Sequence, residues 1–260
     1  MQGKALITGA GQRLGRAMAL YLAGRGLDVA LHYATSSDGA ESAAQEARAL
    51  GVTAATLHAD LLDEGQTAAL VPAAAAALGG PLTVLINNAS IFEHDTIHSA
   101  TAESWNRHIG SNLRAPFMLI QAFAEQASKG ARDAAGEPLA SALVINMVDQ
   151  RVLKPTPEFM TYTIAKMGLW ALTRTSAQAL APDIRVNAIG PGPTLQGQRQ
   201  SADHFLRQRA HTVLGRGANP GDITAALAYF LDAPAVTGQL LCVDGGQHLA
   251  WQTPDILGVE

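Results

Sequence analysis

Tyr162 and Lys166 stand four residues apart in Tyr162-Thr163-Ile164-Ala165-Lys166, a spacing that puts both side chains on one face of a helix. A free tyrosine, with a pKa of about 10, is a poor proton donor or acceptor at neutral pH. A neighbouring ammonium favours the phenolate and moves that pKa toward the working range, as general acid–base catalysis requires. Thirteen residues before the tyrosine stands Asp149, in Asn146-Met147-Val148-Asp149. Its carboxyl group can hold or pass a proton, or pair with a basic nitrogen. Tyr-x-x-x-Lys also occurs by chance on helix surfaces, so its meaning depends on the rest of the chain.

A second constellation lies near the start. Thr8-Gly9-Ala10-Gly11-Gln12-Arg13-Leu14-Gly15 joins an apolar run to a helical pattern. Glycines let a backbone approach a pyrophosphate, whose charge is then stabilised at the helix N-terminus. Taken alone, the same residues also suit an ordinary turn into a helix. The next apolar run ends Leu31-His32-Tyr33-Ala34-Thr35-Ser36, with no carboxylate before Asp38. NAD sites usually carry an acid there to hold the ribose hydroxyls. Its absence, with Arg13, His32 and Ser36 nearby, suits a 2′-phosphate and hence NADPH. His32 reads equally well as a residue packed at a strand end.

These groups need a scaffold that brings them together. Strands are expected at Lys4–Thr8, Asp28–Tyr33, Thr53–His58, Thr83–Asn87, Ala142–Met147, Ile184–Ala188 and Leu240–Val243. Helices are expected at Leu14–Arg25, Asp38–Leu50, Glu64–Leu78, Ala102–Ser128, Tyr162–Leu180 and Pro220–Leu231. Alternating strands and helices need crossover connections, and right-handed crossovers build a parallel sheet covered on both faces. The expectation is one α/β domain over residues 1–260, a doubly wound Rossmann-type fold with about seven parallel strands. Lys129–Pro138 is polar and reads as a surface loop. Residues 190–210 break the rhythm with Pro191 and Pro193 and read as a substrate loop. Residues 248–260 form a tail, with Trp251 as its aromatic.

Composition bounds the function. The 260 residues are 48% hydrophobic and 15% charged, the balance of a globular chain. A net charge of −4 argues against a broad nucleic-acid face. A single cysteine, Cys242, cannot form an internal disulfide and fits a reducing cytoplasm. The start carries no secretory pattern, and the alanine-rich stretch at Ala68–Leu78 is broken by Pro72 and too short for a bilayer. A cytoplasmic protein without a membrane partner is expected.

The motifs in their order resemble the short-chain dehydrogenases and reductases. The turn Thr8–Gly15 follows that family's Thr-Gly-x-x-x-Gly-x-Gly spacing, with Arg13 where the middle glycine stands. Asn87-Asn88-Ala89-Ser90 closes the fourth strand, and Asn112 falls where the family keeps an asparagine tied to its proton relay. Pro191-Gly192-Pro193 and Val243-Asp244-Gly245-Gly246 complete a likeness covering residues 4–248. The family normally has serine where this chain has Asp149. Arg13 for glycine and Asp149 for serine both resemble the pteridine reductase branch, as do Leu31-His32-Tyr33 and Phe92 two residues beyond Ser90.

The resemblance implies NADPH on Gly9, Gln12, Arg13, Leu14, Gly15, His32, Tyr33, Ser36, Asp60, Leu61, Asn88, Ala89, Ser90, Tyr162, Lys166, Pro191 and Gly192. Asp60 would hold the adenine, although it could equally cap a helix. A small-molecule pterin would sit on Arg13, Ser90, Phe92, Asp149 and Tyr162, with Phe92 stacked on one ring face. The implied reaction is hydride transfer to a C=N carbon, with Tyr162 as proton donor aided by Asp149, Lys166 and Asn112. A homotetramer is implied through the helices at Ala102–Ser128 and Tyr162–Leu180. The alternatives are a ketone or enone reductase and a non-catalytic NADPH sensor. His94 and His98 lie at metal-like spacing, but without a supporting ligand set they read as surface histidines near the pocket mouth.

Overall fold

A computed structural model describes residues 3–197 and 200–252. Parts of the expected substrate loop, residues 198–199, and of the expected tail, residues 253–260, lie outside the described residues. In chain order the elements are β1 (Lys4–Ile7), α1 (Arg13–Gly24), β2 (Asp28–Tyr33), α2 (Ser37–Ala49), β3 (Ala54–His58) and α3 (Glu64–Ala77). There follow β4 (Val84–Asn87), α4 (Ala102–Ile109), a π-helical turn (Gly110–Arg114), α5 (Ala115–Gln126), and the short strands β5 (Ala131–Arg132) and β6 (Pro138–Leu139). The rest comprises β7 (Ala142–Met147), α6 (Met160–Leu180), β8 (Ile184–Pro191), α7 (Ala202–Ala210), α8 (Pro220–Asp232) and β9 (Leu240–Val243).

Seven strands form one sheet in the order β3-β2-β1-β4-β7-β8-β9, every neighbouring pair parallel. The expected doubly wound α/β fold is therefore the observed one. The inner strands read as unbroken apolar runs because both sheet faces are covered; all six residues of β7 are buried. One face carries α1, α2 and α8, whose Met18, Leu22, Ala43, Ala47, Leu227 and Phe230 pack on Ile7, Leu31 and Ile145. The other carries α3, α5 and α6, with Leu70, Leu119, Phe123 and Ala177 over Leu6, Leu85 and Val144. Phe123 is fully buried, and Phe123→Ala would cost about 3–5 kcal/mol through lost burial and a cavity.

The strand order reverses between β1 and β4, so their carboxyl ends open a crevice at a topological switch point. Local chemistry brings α1 and α2 close to it. A Cβ at Gly15 would sit 2.2 Å from the Gly9 carbonyl oxygen, and one at Gly39 would sit 2.2 Å from the Gly11 oxygen. Only glycine lets these helices touch the turn that lines the crevice.

Three sequence expectations need correction. The helix expected over Ala102–Ser128 is two α-helices joined by the π-helical turn, where the extra residue per turn re-aims Asn112 inward. Lys129–Pro138 is not wholly loop, since β5 pairs antiparallel with β6. Residues 190–210 contain α7, capped by Ser201 and with no buried residue, so it has no apolar stripe to read.

Candidate active site

The crevice is a cavity of about 400 Å³ whose floor is the turn after β1. Gly9, Gln12, Arg13, Leu14 and Gly15 line it, as expected, together with Gly11. Helix α1 starts there with no side-chain cap and no acid in its first turn. Its free N–H groups and positive dipole end therefore face the cavity, which fits a dinucleotide pyrophosphate. Thr8 braces this floor: its hydroxyl accepts the Asn88 and Ala89 N–H groups, both at 2.9 Å. The Asn88 amide donates back to the Thr8 carbonyl at 2.8 Å.

The wall at the end of β2 contains Tyr33, Ala34, Thr35 and Ser36, with no carboxylate. His32 also borders the cavity but cannot offer a positive charge. Its Nδ1 accepts the Gly9 N–H at 3.1 Å, so the proton sits on Nε2, which donates to the Ala59 carbonyl at 3.0 Å. Burial lowers its pKa and keeps the ring neutral. His32 thus fixes the phosphate turn onto β2, a correction to its reading as part of a 2′-phosphate grip. Among the described residues, Arg13 is the one cation on the cavity walls. It adopts a left-handed backbone, φ +54, and donates to the Gln196 and Leu195 carbonyls at 2.8 and 3.0 Å.

Asn88, Ala89, Ser90, Pro191 and Gly192 complete the walls as expected. Asp60 and Leu61 do not line the cavity. The Asp60 carboxylate accepts the Leu62 N–H at 2.9 Å, and Leu61 is buried in the core. The cap of α3 is Asp63, which accepts the Gln66 N–H.

Beyond Ser90 the expected proton groups converge. The Tyr162 hydroxyl donates to Asp149 Oδ2 at 2.9 Å, while Asp149 Oδ1 accepts the Arg151 N–H at 2.8 Å. Lys166 is buried, donates to the Met147 carbonyl at 2.8 Å, and lies 5.7 Å from the Tyr162 ring centre. Burial pushes the Lys166 ammonium down to about 8. Burial also raises the Asp149 carboxyl above the usual carboxylate range. The Tyr162 phenol is raised well above its ordinary value, first by burial and then by the Asp149 charge. The sequence expectation of a phenolate promoted by Lys166 is therefore reversed, because burial first and the contacting Asp149 carboxylate second favour the protonated phenol. Tyr162 is a neutral phenol, a proton donor held by Asp149.

Asn112 sits in the π-helical turn and spends its amide on Ile91, accepting its N–H at 2.9 Å and donating to its carbonyl at 2.8 Å. It fixes the segment between Ser90 and Phe92. Phe92 is 51% exposed, meets Tyr162 edge-on at 4.7 Å, and stacks on Phe159 at 4.2 Å. Phe159 was missed in sequence. It adopts a left-handed backbone, φ +58, just before α6, with the Arg151 guanidinium 5.3 Å above its ring. No periodicity marks such a loop residue.

His94 pairs with Glu158 and packs edge-on against Phe159, a surface role beside the site. Among the described residues no group of three metal-ligating side chains occurs. Nor is any helix among them long and apolar enough to cross a membrane.

Comparison with known proteins bears on this geometry. The family model described as enoyl-(acyl carrier protein) reductase matches residues 9–248. A 3-oxoacyl-[acyl-carrier-protein] reductase of Staphylococcus aureus is 30% identical over 254 residues, covering 96% of this chain and 99% of that protein. The crystal structure of FolM alternative dihydrofolate reductase 1 from Brucella suis, in complex with NADP, superimposes with a TM-score of 0.90 and 40% identity over 98% of each chain. The angucycline C-6 ketoreductase LanV with bound NADP superimposes with a TM-score of 0.85 at 27% identity, over 95% of this chain and 96% of that one. With the phosphate turn, the Tyr162–Lys166 pair and the sheet order in place, the chain belongs to the short-chain dehydrogenase/reductase family.

Proposed function

We propose that this oxidoreductase is an NADPH-dependent reductase of a pterin-like ring of the dihydrobiopterin, dihydromonapterin or dihydrofolate type. The observation that carries this reading is the Tyr162–Asp149 hydrogen bond of 2.9 Å, where the family otherwise uses a serine. A serine hydroxyl suits a carbonyl oxygen, whereas a partly buried carboxyl bonded to a buried phenol suits a ring nitrogen that must be protonated. The likeness to the Brucella suis dihydrofolate reductase, the most identical of the three proteins above, supports the same class.

The residues present fit NADPH. The uncapped start of α1 would take the pyrophosphate, and the acid-free end of β2 leaves room for a 2′-phosphate, with Arg13 lining the same cavity. When bound, NADPH supplies the hydride. Lys166 keeps two N–H donors beyond its bond to Met147 for the nicotinamide ribose. Phe92, half exposed and stacked on Phe159, is the aromatic beside Tyr162 against which a flat heterocycle would stack. Tyr162 delivers its proton toward the ring nitrogen, and Asp149, its carboxyl raised by burial, takes up a proton from solvent and returns it to the phenolate.

Trp105, Phe117, Ile164 and Met167 leave apolar surface on α4, α5 and α6. That face supports assembly as a homotetramer through these helices. The net charge of −4 supports a small molecule, not a nucleic acid, as partner, and the single cysteine supports a cytoplasmic location.

The test is NADPH oxidation with 7,8-dihydrobiopterin and dihydrofolate beside a panel of simple ketones, with NADH as control. Preference for a pterin, lost in Asp149→Ala, supports the reading. Turnover of ketones alone, the activity that the LanV and Staphylococcus aureus likenesses favour, removes it. Tight NADPH binding with no turnover on any acceptor favours the sensor.

A further inference from the structure

The loop after β4 carries Phe92 at the mouth of the site, and its flank is pinned by buried polar groups that the proton step does not use. Asp95 and Thr161 are each 2% exposed and His108 is fully buried. Helix α6 begins after Phe159 with no side-chain cap of its own. Asp95 supplies that cap from the Phe92 loop: the Thr161 N–H donates to Oδ1 at 3.1 Å, and the Thr161 hydroxyl donates to Oδ2. The Met160 N–H donates to the Asp95 carbonyl at 3.2 Å. On the far side, the Glu93 N–H donates to His108 Nε2 at 3.1 Å, and His108 Nδ1 lies 2.6 Å from the Thr161 hydroxyl.

These bonds can run in only one direction. The Glu93 amide is a donor, so His108 Nε2 must accept and the ring proton must sit on Nδ1. That proton goes to the Thr161 oxygen, whose own hydrogen goes to Asp95. The chain ends on a group that only accepts. Ser104 faces both ends, its backbone toward the His108 ring and its side chain toward Asp95, while the charges of Glu93 and Arg107 also reach the ring.

We propose that Asp95, Thr161 and His108 are positioning residues, a one-way hydrogen-bond chain that sets the Phe92 wall against the Tyr162 hydroxyl. Tyr162 directly follows Thr161, and the His108 ring stands edge-on to it at 6.1 Å. Any slack in the chain moves the stacking wall and the proton donor relative to each other. The inference rests on Tyr162 being the proton donor and does not need the acceptor to be a pterin.

Asp95→Asn keeps the shape but turns one acceptor into a donor, and Thr161→Val deletes the middle link. Each is expected to lower kcat/KM for 7,8-dihydrobiopterin by roughly 10- to 100-fold, mostly through KM, since misplacement alone has effects of this size. The Kd for NADPH is expected to stay within about 2-fold, because other elements build the phosphate turn; Thr161→Ser is expected to restore most of the loss. Nitrogen-15 NMR of the imidazole, assigned by its disappearance in His108→Gln, should show His108 as the Nδ1–H tautomer.

Wild-type kinetics in Thr161→Val, an Nε2–H tautomer in the wild type, or a parallel collapse of NADPH binding would each overturn the proposal. If Asp95→Asn does not fold, Thr161→Val and the tautomer decide. If the wild type reduces ketones and no pterin, the substrate reading alone fails and the same variants are read on the ketone.

Discussion

Tyr162 Oη and Asp149 Oδ2 share a hydrogen bond of 2.9 Å in a setting where burial raises the pKa of both groups. The phenolate is disfavoured twice, by lost solvation and by the neighbouring carboxylate. A reduction that consumes a proton is therefore fastest while the pair is protonated, and its rate falls as pH rises through the elevated Asp149 value. Asp149→Asn should remove that alkaline limb and lower kcat for pterin by about 10²- to 10⁴-fold. The pH dependence of kcat in the two proteins checks this; a limb that survives the substitution unchanged assigns it elsewhere.

The same substitution should stabilise the fold. Folding raises the Asp149 pKa above its ordinary 3.8, so within that window the native state binds more protons than the unfolded chain. Stability then falls as pH rises through the window. Asp149→Asn is expected to melt above wild type at pH 8, with the gap closing as pH drops toward the ordinary carboxylate range. Thermal unfolding at several pH values measures the gap.

Lys166 gives the mirror case. Burial lowers its pKa from 10.5 to about 8, so the unfolded chain holds the proton more tightly between those values and stability rises with pH there. Below about pH 8 the charge is present and buried, at a cost on the order of 3 kcal/mol. Lys166→Met should therefore melt above wild type at pH 7 and lose that advantage near pH 10.5, while turnover drops at every pH. In wild type a second alkaline limb near pH 8 is expected, and it should persist in Asp149→Asn.

The sheet was readable because strands buried on both faces appear as apolar runs. β2 and β7 lie at Asp28–Tyr33 and Ala142–Met147, as their composition alone implies, and the edge strand β9 keeps an apolar run at Leu240–Val243 without being buried. α7 was not readable, having no buried face, and the π-helical turn was not readable because one extra residue leaves no compositional mark. Tyr162, Lys166 and Asp149 could be found from spacing around one strand and one helix. Phe159, Asp95, Thr161 and His108 act through loop-to-helix contacts across 15 to 67 positions, which no local pattern encodes. His32 shows a different limit: its type suggested charge, but only its two hydrogen-bond partners reveal a neutral ring.

Arg13 combines a strained backbone with two bonds to the Leu195 and Gln196 carbonyls. Glycine adopts φ +54 without the Cβ penalty, which is about 1 kcal/mol for other residues. Arg13→Gly should consequently melt about 2–4 °C above Arg13→Ala, though both lose the guanidinium contacts. Both should raise KM for NADPH, because they remove the one cation that the described residues place on the cavity walls. Equal melting temperatures for the two variants would show that the left-handed backbone carries no strain.

Ala34 follows β2 on the cavity wall, where no carboxylate stands. A carboxylate there would accept hydrogen bonds from ribose hydroxyls and repel a 2′-phosphate, so it acts on NADH and NADPH in opposite directions. Two charges about 4 Å apart near a protein surface interact by up to ~4 kcal/mol, and solvent leaves part of that. Ala34→Asp is expected to move the ratio of kcat/KM for NADPH over NADH toward NADH by roughly 10- to 100-fold, a change of about 1.4–2.7 kcal/mol. The loss for NADPH should shrink at high salt, where screening weakens the repulsion, while the gain for NADH should be less salt-sensitive because it rests on hydrogen bonds. Side-by-side kinetics with both cofactors at two ionic strengths separate the contributions. An unchanged ratio would place the adenosine ribose away from the end of β2 and remove the sequence basis for NADPH preference.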